Sequence, residues 1–228
     1  MGTLSLERVD KLLWLGRYVE RSYTTLLFIL ATYDAALDST EGNWKGQLEE
    51  LGFDQDNDDP VLFFRECLFS PELPASIHYS MNRAYDNAVA LRDVIGTEGV
   101  AYIQLAADDI DRAEVSTSPL LDLQTVIDWI MAFKGSCDDY VVNDAARNVL
   151  KCGMSVERID LYVRLGYRLH SVRKEVQKLA SRIDRTGMAY DRATFRQLVD
   201  LVFAPTFPEL TSYEQLGDIL ELNAKVFS

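Results

Sequence analysis

The chain reads as all-α, a single multi-helix bundle over 1–228 with two pseudo-duplicated helices packed at its centre, and three observations predict this. Apolar residues recur at steps of three and four along most segments between turn signals, which is the period of an amphipathic helix. No stretch makes a convincing strand. A hexad, Gly16-Arg17-Tyr18-Val19-Glu20-Arg21, returns as Gly153-Met154-Ser155-Val156-Glu157-Arg158, so two helical segments repeat one pattern.

Ser5 is a good N-cap for a first helix over 5–37, long enough to act as a spine. Its Val9, Leu13, Gly16, Glu20, Tyr23 and Leu27 draw one inward stripe, with Glu20 inside it. A short helix over 44–51 precedes an acidic run of Asp54, Asp56, Asp58 and Asp59. Calcium is not read there, because the sixth and twelfth loop positions, which need glycine and glutamate, hold Asp59 and Arg65. Asp59-Pro60 opens an apolar helix, and Pro71 and Pro74 break the chain. A helix over 76–95 carries Ile77, Met81, Ala84, Ala88, Leu91 and Ile95 inward and stops at Gly96. Further helices are expected over 97–113 and 120–134, with Gly135-Ser136 as a short connection. The segment over 138–165 carries the second hexad on a stripe of Ala146, Leu150, Gly153, Glu157, Leu161 and Leu165. A basic helix follows over 167–183, with Arg168, His170, Arg173, Lys174, Lys178 and Arg182. It reads either as a docking surface or as a solvated face balanced by Glu175 and Asp184. Two last helices lie over 191–203 and 212–227, separated by Pro205 and Pro208.

Each hexad therefore points a carboxylate at the core, and a buried charge must be paired and hydrogen-bonded. The arginine beside it is rotated about 100° round the same helix and suits a facing helix better. The expectation is an antiparallel helix pair that exchanges partners, Glu20 with Arg158 and Glu157 with Arg21. Gly16 and Gly153 would allow the close approach, offsetting part of their cost of roughly 1 kcal/mol each in a helix interior. A competing internal alignment matches Ser5, Glu7, Arg8 and Asp10 with Ser155, Glu157, Arg158 and Asp160.

Arg8-Val9 followed by Leu15-Gly16-Arg17-Tyr18-Val19-Glu20-Arg21 resembles the start of the bacterial alpha-E family. Arg83-Ala84-Tyr85-Asp86-Asn87-Ala88 and Leu91-Arg92-Asp93-Val94-Ile95 are similar to its R-E-N-A and V-R-D-x-I segments, with aspartate for glutamate. The second hexad, continued by Ile159-Asp160, resembles its G-x-x-x-E-R-A-D, with Ile159 where a small residue is usual. The likeness covers most of the chain and is thin over 42–73 and after 190. It implies an all-helical domain encoded beside, or fused with, circularly permuted ATP-grasp ligases and transglutaminase-like proteins. By that implication the chain is a non-catalytic accessory subunit that binds the ligase or its peptide substrate.

The net charge of −13 opposes a nucleic-acid partner, whose phosphates call for a basic patch. Cys67, Cys137 and Cys152 form no C-x-x-C and point to a reducing compartment. Glu7 and Asp10 stand where a signal peptide would be apolar, and the apolar run over 26–31 is too short to span a bilayer, so a cytoplasmic protein without a membrane partner is expected. Neither His78 nor His170 has a glutamate three residues before it, no phosphate-binding glycine loop or nucleophile motif is present, and no metal or other cofactor is expected. Arg83 and Asn87, one turn apart with Arg92 further along, and Arg17 on the first helix, are the candidates for recognising a carboxylate or phosphate. The alternative for this cluster is a structural network. A rival functional reading is an enzyme acting on a carboxylate or amide through Glu20, Glu157, Arg83 and Asn87, with the two glutamates as acid and base.

Overall fold

The computed structural model describes residues 4–38, 44–53, 59–209 and 211–227, and among these the chain is all-α with no strand. The spine expected from the first apolar stripe is α1, Leu6–Asp38, with the Ser5 hydroxyl accepting from the Arg8 amide. A single turn and a half, α2 (Trp44–Glu49), precedes α3 (Pro60–Phe69), whose first turn holds proline and whose N-cap Asp59 accepts from the Val61 amide at 2.9 Å. The acidic run over 54–58 lies outside the described residues.

The helix expected over 76–95 is interrupted. Helix α4 (Ile77–Ala90), capped by the Ser76 hydroxyl, ends at Leu91, and α5 (Arg92–Glu114) makes one turn before bending at Gly96. Gly96 has φ 79°, which a side chain rarely tolerates, so the stop signal there is real. Helix α6 (Pro119–Tyr140) runs straight through Gly135-Ser136, where the sequence suggests a connection. A Cβ at Gly135 would touch nothing within 4 Å, so this glycine weakens the helix only through its backbone freedom. The chain turns instead at 141–143, where the Asn143 side chain accepts from the Ala146 amide and starts α7 (Asp144–Arg164). A 3₁₀ turn, Leu169–Ser171, leads to α8 (Val172–Ile183), then α9 (Arg192–Phe203) and α10 (Tyr213–Lys225), the last opened by a Ser212–Gln215 capping box.

The central pair is α1 and α7, as expected, but the two helices run parallel. Leu13 and Arg17 flank Gly153, Leu150 and Met154 flank Gly16, and the starts of both helices border one groove. The correction has a simple cause. An antiparallel pair crossing at the glycines would set Glu20 and Arg158 roughly 13 Å apart along the axis at a rise of about 1.5 Å per residue. In parallel register the two hexads lie side by side and each glutamate meets the other arginine. The crossing is reciprocal: a Cβ on Gly16 would strike the Leu150 carbonyl oxygen, and one on Gly153 would strike the Leu13 carbonyl oxygen. These contacts follow the hexad register rather than the competing alignment.

Helices α3 to α6 pack with α1 and one face of α7 in a first core that includes Leu15, Leu26, Met81, Ile103, Phe133 and Leu150. The opposite face of α7, with Cys152, Val156 and Ile159, meets α8 to α10 in a second. The basic helix is not simply solvated. The Arg173 Nε and Nη2 donate to the carbonyls of Val202, Ala204 and Phe207 at 3.0, 2.8 and 2.5 Å, holding the C-terminal end of α9.

Candidate functional site

Both motif glutamates are fully buried between α1 and α7. Arg158 approaches Glu20 as a fork, Nε to Oε1 and Nη2 to Oε2 at 2.6 Å each. Thr24, one turn beyond Glu20 on α1, donates to Oε1 at 2.9 Å. A second cation comes from α6: Lys134 Nζ lies 2.8 Å from Glu20 Oε2 and 3.5 Å from the centre of the Tyr23 ring. Arg158 spends its remaining Nη1 on Glu175 at 3.1 Å, and Lys178 closes on the same carboxylate at 2.6 Å. Burial pushes the Glu20 carboxyl up, but Lys134 and Arg158 outweigh it and hold the carboxyl below the usual range. Burial also leaves Lys134 below the usual lysine value, although Glu20 pulls it the other way.

Around Glu157 the arrangement corresponds but differs in detail. Arg21 Nε donates to Oε1 at 2.5 Å, the partner expected from the sequence, and Arg17 Nε donates to Oε2 at 2.7 Å. Arg17 lies over the Trp14 ring, 4.6 Å from its centre. Met154 stands in the second hexad where Arg17 stands in the first, so Glu20 must take its second cation from another helix. Beyond Glu157 opens a cleft of about 350 Å³, lined by Arg17, Arg21, Thr25, Glu50, Asp160 and Arg164. Asp160 is held by Arg164 in a fork at 2.8 and 3.0 Å.

The four anion-binding candidates are not brought together. Arg83 and Asn87 border an open groove with Trp14, Tyr18 and Tyr79 on the α1–α4 surface. Arg83 is exposed, with Asp86 3.6 Å away and its guanidinium 5.2 Å from the centre of the Tyr79 ring. Arg92 is on α5, with Nη2 3.5 Å from the Thr97 hydroxyl at the Gly96 bend. Arg17 turns to Glu157 instead. Lys134 was not singled out in the sequence, and Glu175, read there as balancing a solvated face, is instead buried against Arg158; each lies on a helical stripe, Leu123, Ile127, Ile130, Lys134 and Cys137 on α6, and Val172, Glu175, Leu179 and Ile183 on α8. The sign that singled out Glu20, a charge within an apolar stripe, would have found both.

Chemically, Glu20 is a fixed anion, because a fully buried carboxylate neutralised by two cations is a weak proton acceptor. Burial pushes the Cys137 and Cys152 thiols up to about 12, and Cys67 higher still, which keeps all three protonated at neutral pH. Among the described residues no helix is long and apolar enough to cross a membrane.

Fold and site together define an all-helical protein whose central parallel pair is locked by two reciprocal glutamate–arginine couples. The family model Alpha-E, described as "a predicted alpha-helical domain with a conserved ER motif", matches residues 7–198. The chain belongs to the Alpha-E family. No curated protein and no solved structure matches the chain.

Proposed function

We propose that the chain is a non-catalytic helical partner of a circularly permuted ATP-grasp ligase in the cytoplasm, binding the ligase or its peptide substrate. The observation that carries this reading is the state of the two motif glutamates: each is fully buried and held by two cations. Charges paired in this way hold two helices together as a frame. Family membership supports the kind of partner through the association that the alpha-E resemblance implies. The rival enzymatic reading needs Glu20, Glu157, Arg83 and Asn87 at one pocket. Glu157 lines the cleft between α1 and α7, Arg83 and Asn87 line the groove on the α1–α4 surface, and Glu20 is sealed from both.

The test is co-expression with the neighbouring ATP-grasp protein, affinity purification of either partner, and ligase rate with and without this chain. A stable complex and a changed rate or peptide affinity are expected. No complex together with an unchanged rate removes the reading.

A further inference from the structure

The two motif carboxylates sit in unequal surroundings. At Glu20 the hydrogen bonds run inward: Arg158 places all three guanidinium nitrogens on Glu20 and Glu175, Thr24 gives its hydroxyl to Glu20, and the ammonium of Lys134 is buried against the same carboxylate. At Glu157, Arg17 and Arg21 each give only Nε, and no hydrogen bond among the described residues engages their Nη groups. Thr25, the residue after Thr24, is fully buried, lines the adjoining cleft, and has a hydroxyl oxygen with no partner. One half of the motif is closed on itself and the other is open.

We propose that the open half is a binding site for a small oxyanion, a carboxylate or phosphate group, held by the Nη donors of Arg17 and Arg21 and by the Thr25 hydroxyl. Two guanidiniums share one carboxylate, which leaves one positive charge over at the floor of the cleft. Asp160 does not cancel it, because Arg164 already holds that carboxylate in a fork. Glu50 is exposed at the rim, where water screens it. Glu157 ties both guanidiniums by Nε and Arg17 leans on Trp14, so the donors are pre-oriented and a ligand loses little to ordering them. Paired guanidinium donors suit the planar oxygens of a carboxylate or the face of a phosphate. A volume of about 350 Å³ falls at the small end of ligand pockets. The site stands on the geometry of the cleft and does not depend on a ligase partner.

The test uses the full chain alone: arginine Nε–Hε NMR signals are followed during titration with inorganic phosphate and, separately, with acetate, at constant ionic strength set by chloride. Saturable shifts confined to Arg17 and Arg21 are expected with at least one anion. Phosphate alone assigns a phosphorylated ligand and acetate alone a carboxylate, and either keeps the site. Thr25→Val preserves side-chain shape and should weaken saturable binding about 2–12-fold, the worth of one hydrogen bond, at a thermal midpoint no lower than that of wild type, since the hydroxyl it removes has no partner in the free protein. Arg17→Lys, which keeps the charge and loses the fork, should weaken it further, whereas Arg196→Gln on α9 should not. Shifts that grow linearly with both anions, or affinity unaltered in Thr25→Val, overturn the proposal.

Discussion

Glu20→Gln removes the anion that Arg158 and Lys134 share and puts a neutral amide of the same shape between them. Their side chains are only 18 % and 13 % exposed, so neither cation recovers full hydration by moving. Removing one partner of a buried pair costs about 3–5 kcal/mol. A chain of this size loses roughly 2–4 °C of Tm per kcal/mol, so the midpoint should fall by roughly 6–20 °C. Arg158→Met is milder at Glu20, which keeps Lys134 and Thr24, although Glu175 also loses a contact. The double variant has neither an orphan carboxylate nor an orphan guanidinium at this couple. Its cost should be less than the sum of the two by about 0.5–3 kcal/mol, the range for residues in contact. Urea unfolding at neutral pH, followed by far-ultraviolet circular dichroism with matched slopes, measures all four corners of the cycle. Single costs that add to within about 0.5 kcal/mol would refute the pairing.

Three further outcomes follow from the same geometry. Gly16→Ala and Gly153→Ala should each destabilise by about 1–3 kcal/mol net of the better helix propensity, because the new Cβ meets a backbone carbonyl that cannot rotate away, whereas Gly135→Ala should stabilise by about 0.5–1 kcal/mol; thermal melts of the three decide it. The stability that Glu20 confers is whole above the ordinary glutamate pKa of about 4.3 and lost as pH falls through its lower folded value, so the gap between wild type and Glu20→Gln in urea midpoints should be constant at neutral pH and shrink only as pH falls below that ordinary value. Arg173→Met removes the side-chain donor from the carbonyls of Val202, Ala204 and Phe207, of which Ala204 keeps the Phe207 amide, and should cost about 1–3 kcal/mol, with hydrogen exchange rising first over 198–208.

What the sequence disclosed about the site is the part carried by period and residue type. A glycine one turn before a glutamate inside an apolar stripe was enough to bury Glu20 and Glu157 and to name Arg158 and Arg21 as their partners. The direction of packing was missed because an apolar stripe reads the same for a parallel or an antiparallel neighbour; the decisive clue, that only parallel register sets each glutamate beside the other arginine, lies in the offset between the hexads. Lys134 was hidden because Gly135-Ser136 looks like a loop, which placed this lysine at a helix end instead of on a stripe. Arg17 was legible as an anion binder, yet its first anion is Glu157 of the same chain, a contact that no local pattern encodes. The break at Leu91 has no glycine or proline to announce it. Thr24 and Thr25 are neighbours of one type, and only the fold separates a hydroxyl spent on Glu20 from one turned to a cleft.

The parallel register of α1 and α7 underlies the exchange of partners between the two motifs, and electron–electron distance measurement between spin labels tests it directly. Leu6 and Val142, 85 % and 80 % exposed, stand at the starts of the two helices, and Gly166 lies just beyond the end of α7. Labels at 6 and 142 should lie within about 25 Å of each other and labels at 6 and 166 should be farther apart, since α7 is about 30 Å long at about 1.5 Å per residue. The reverse order, with 6 near 166 and far from 142, would mean antiparallel helices and no exchange of partners between the two motifs.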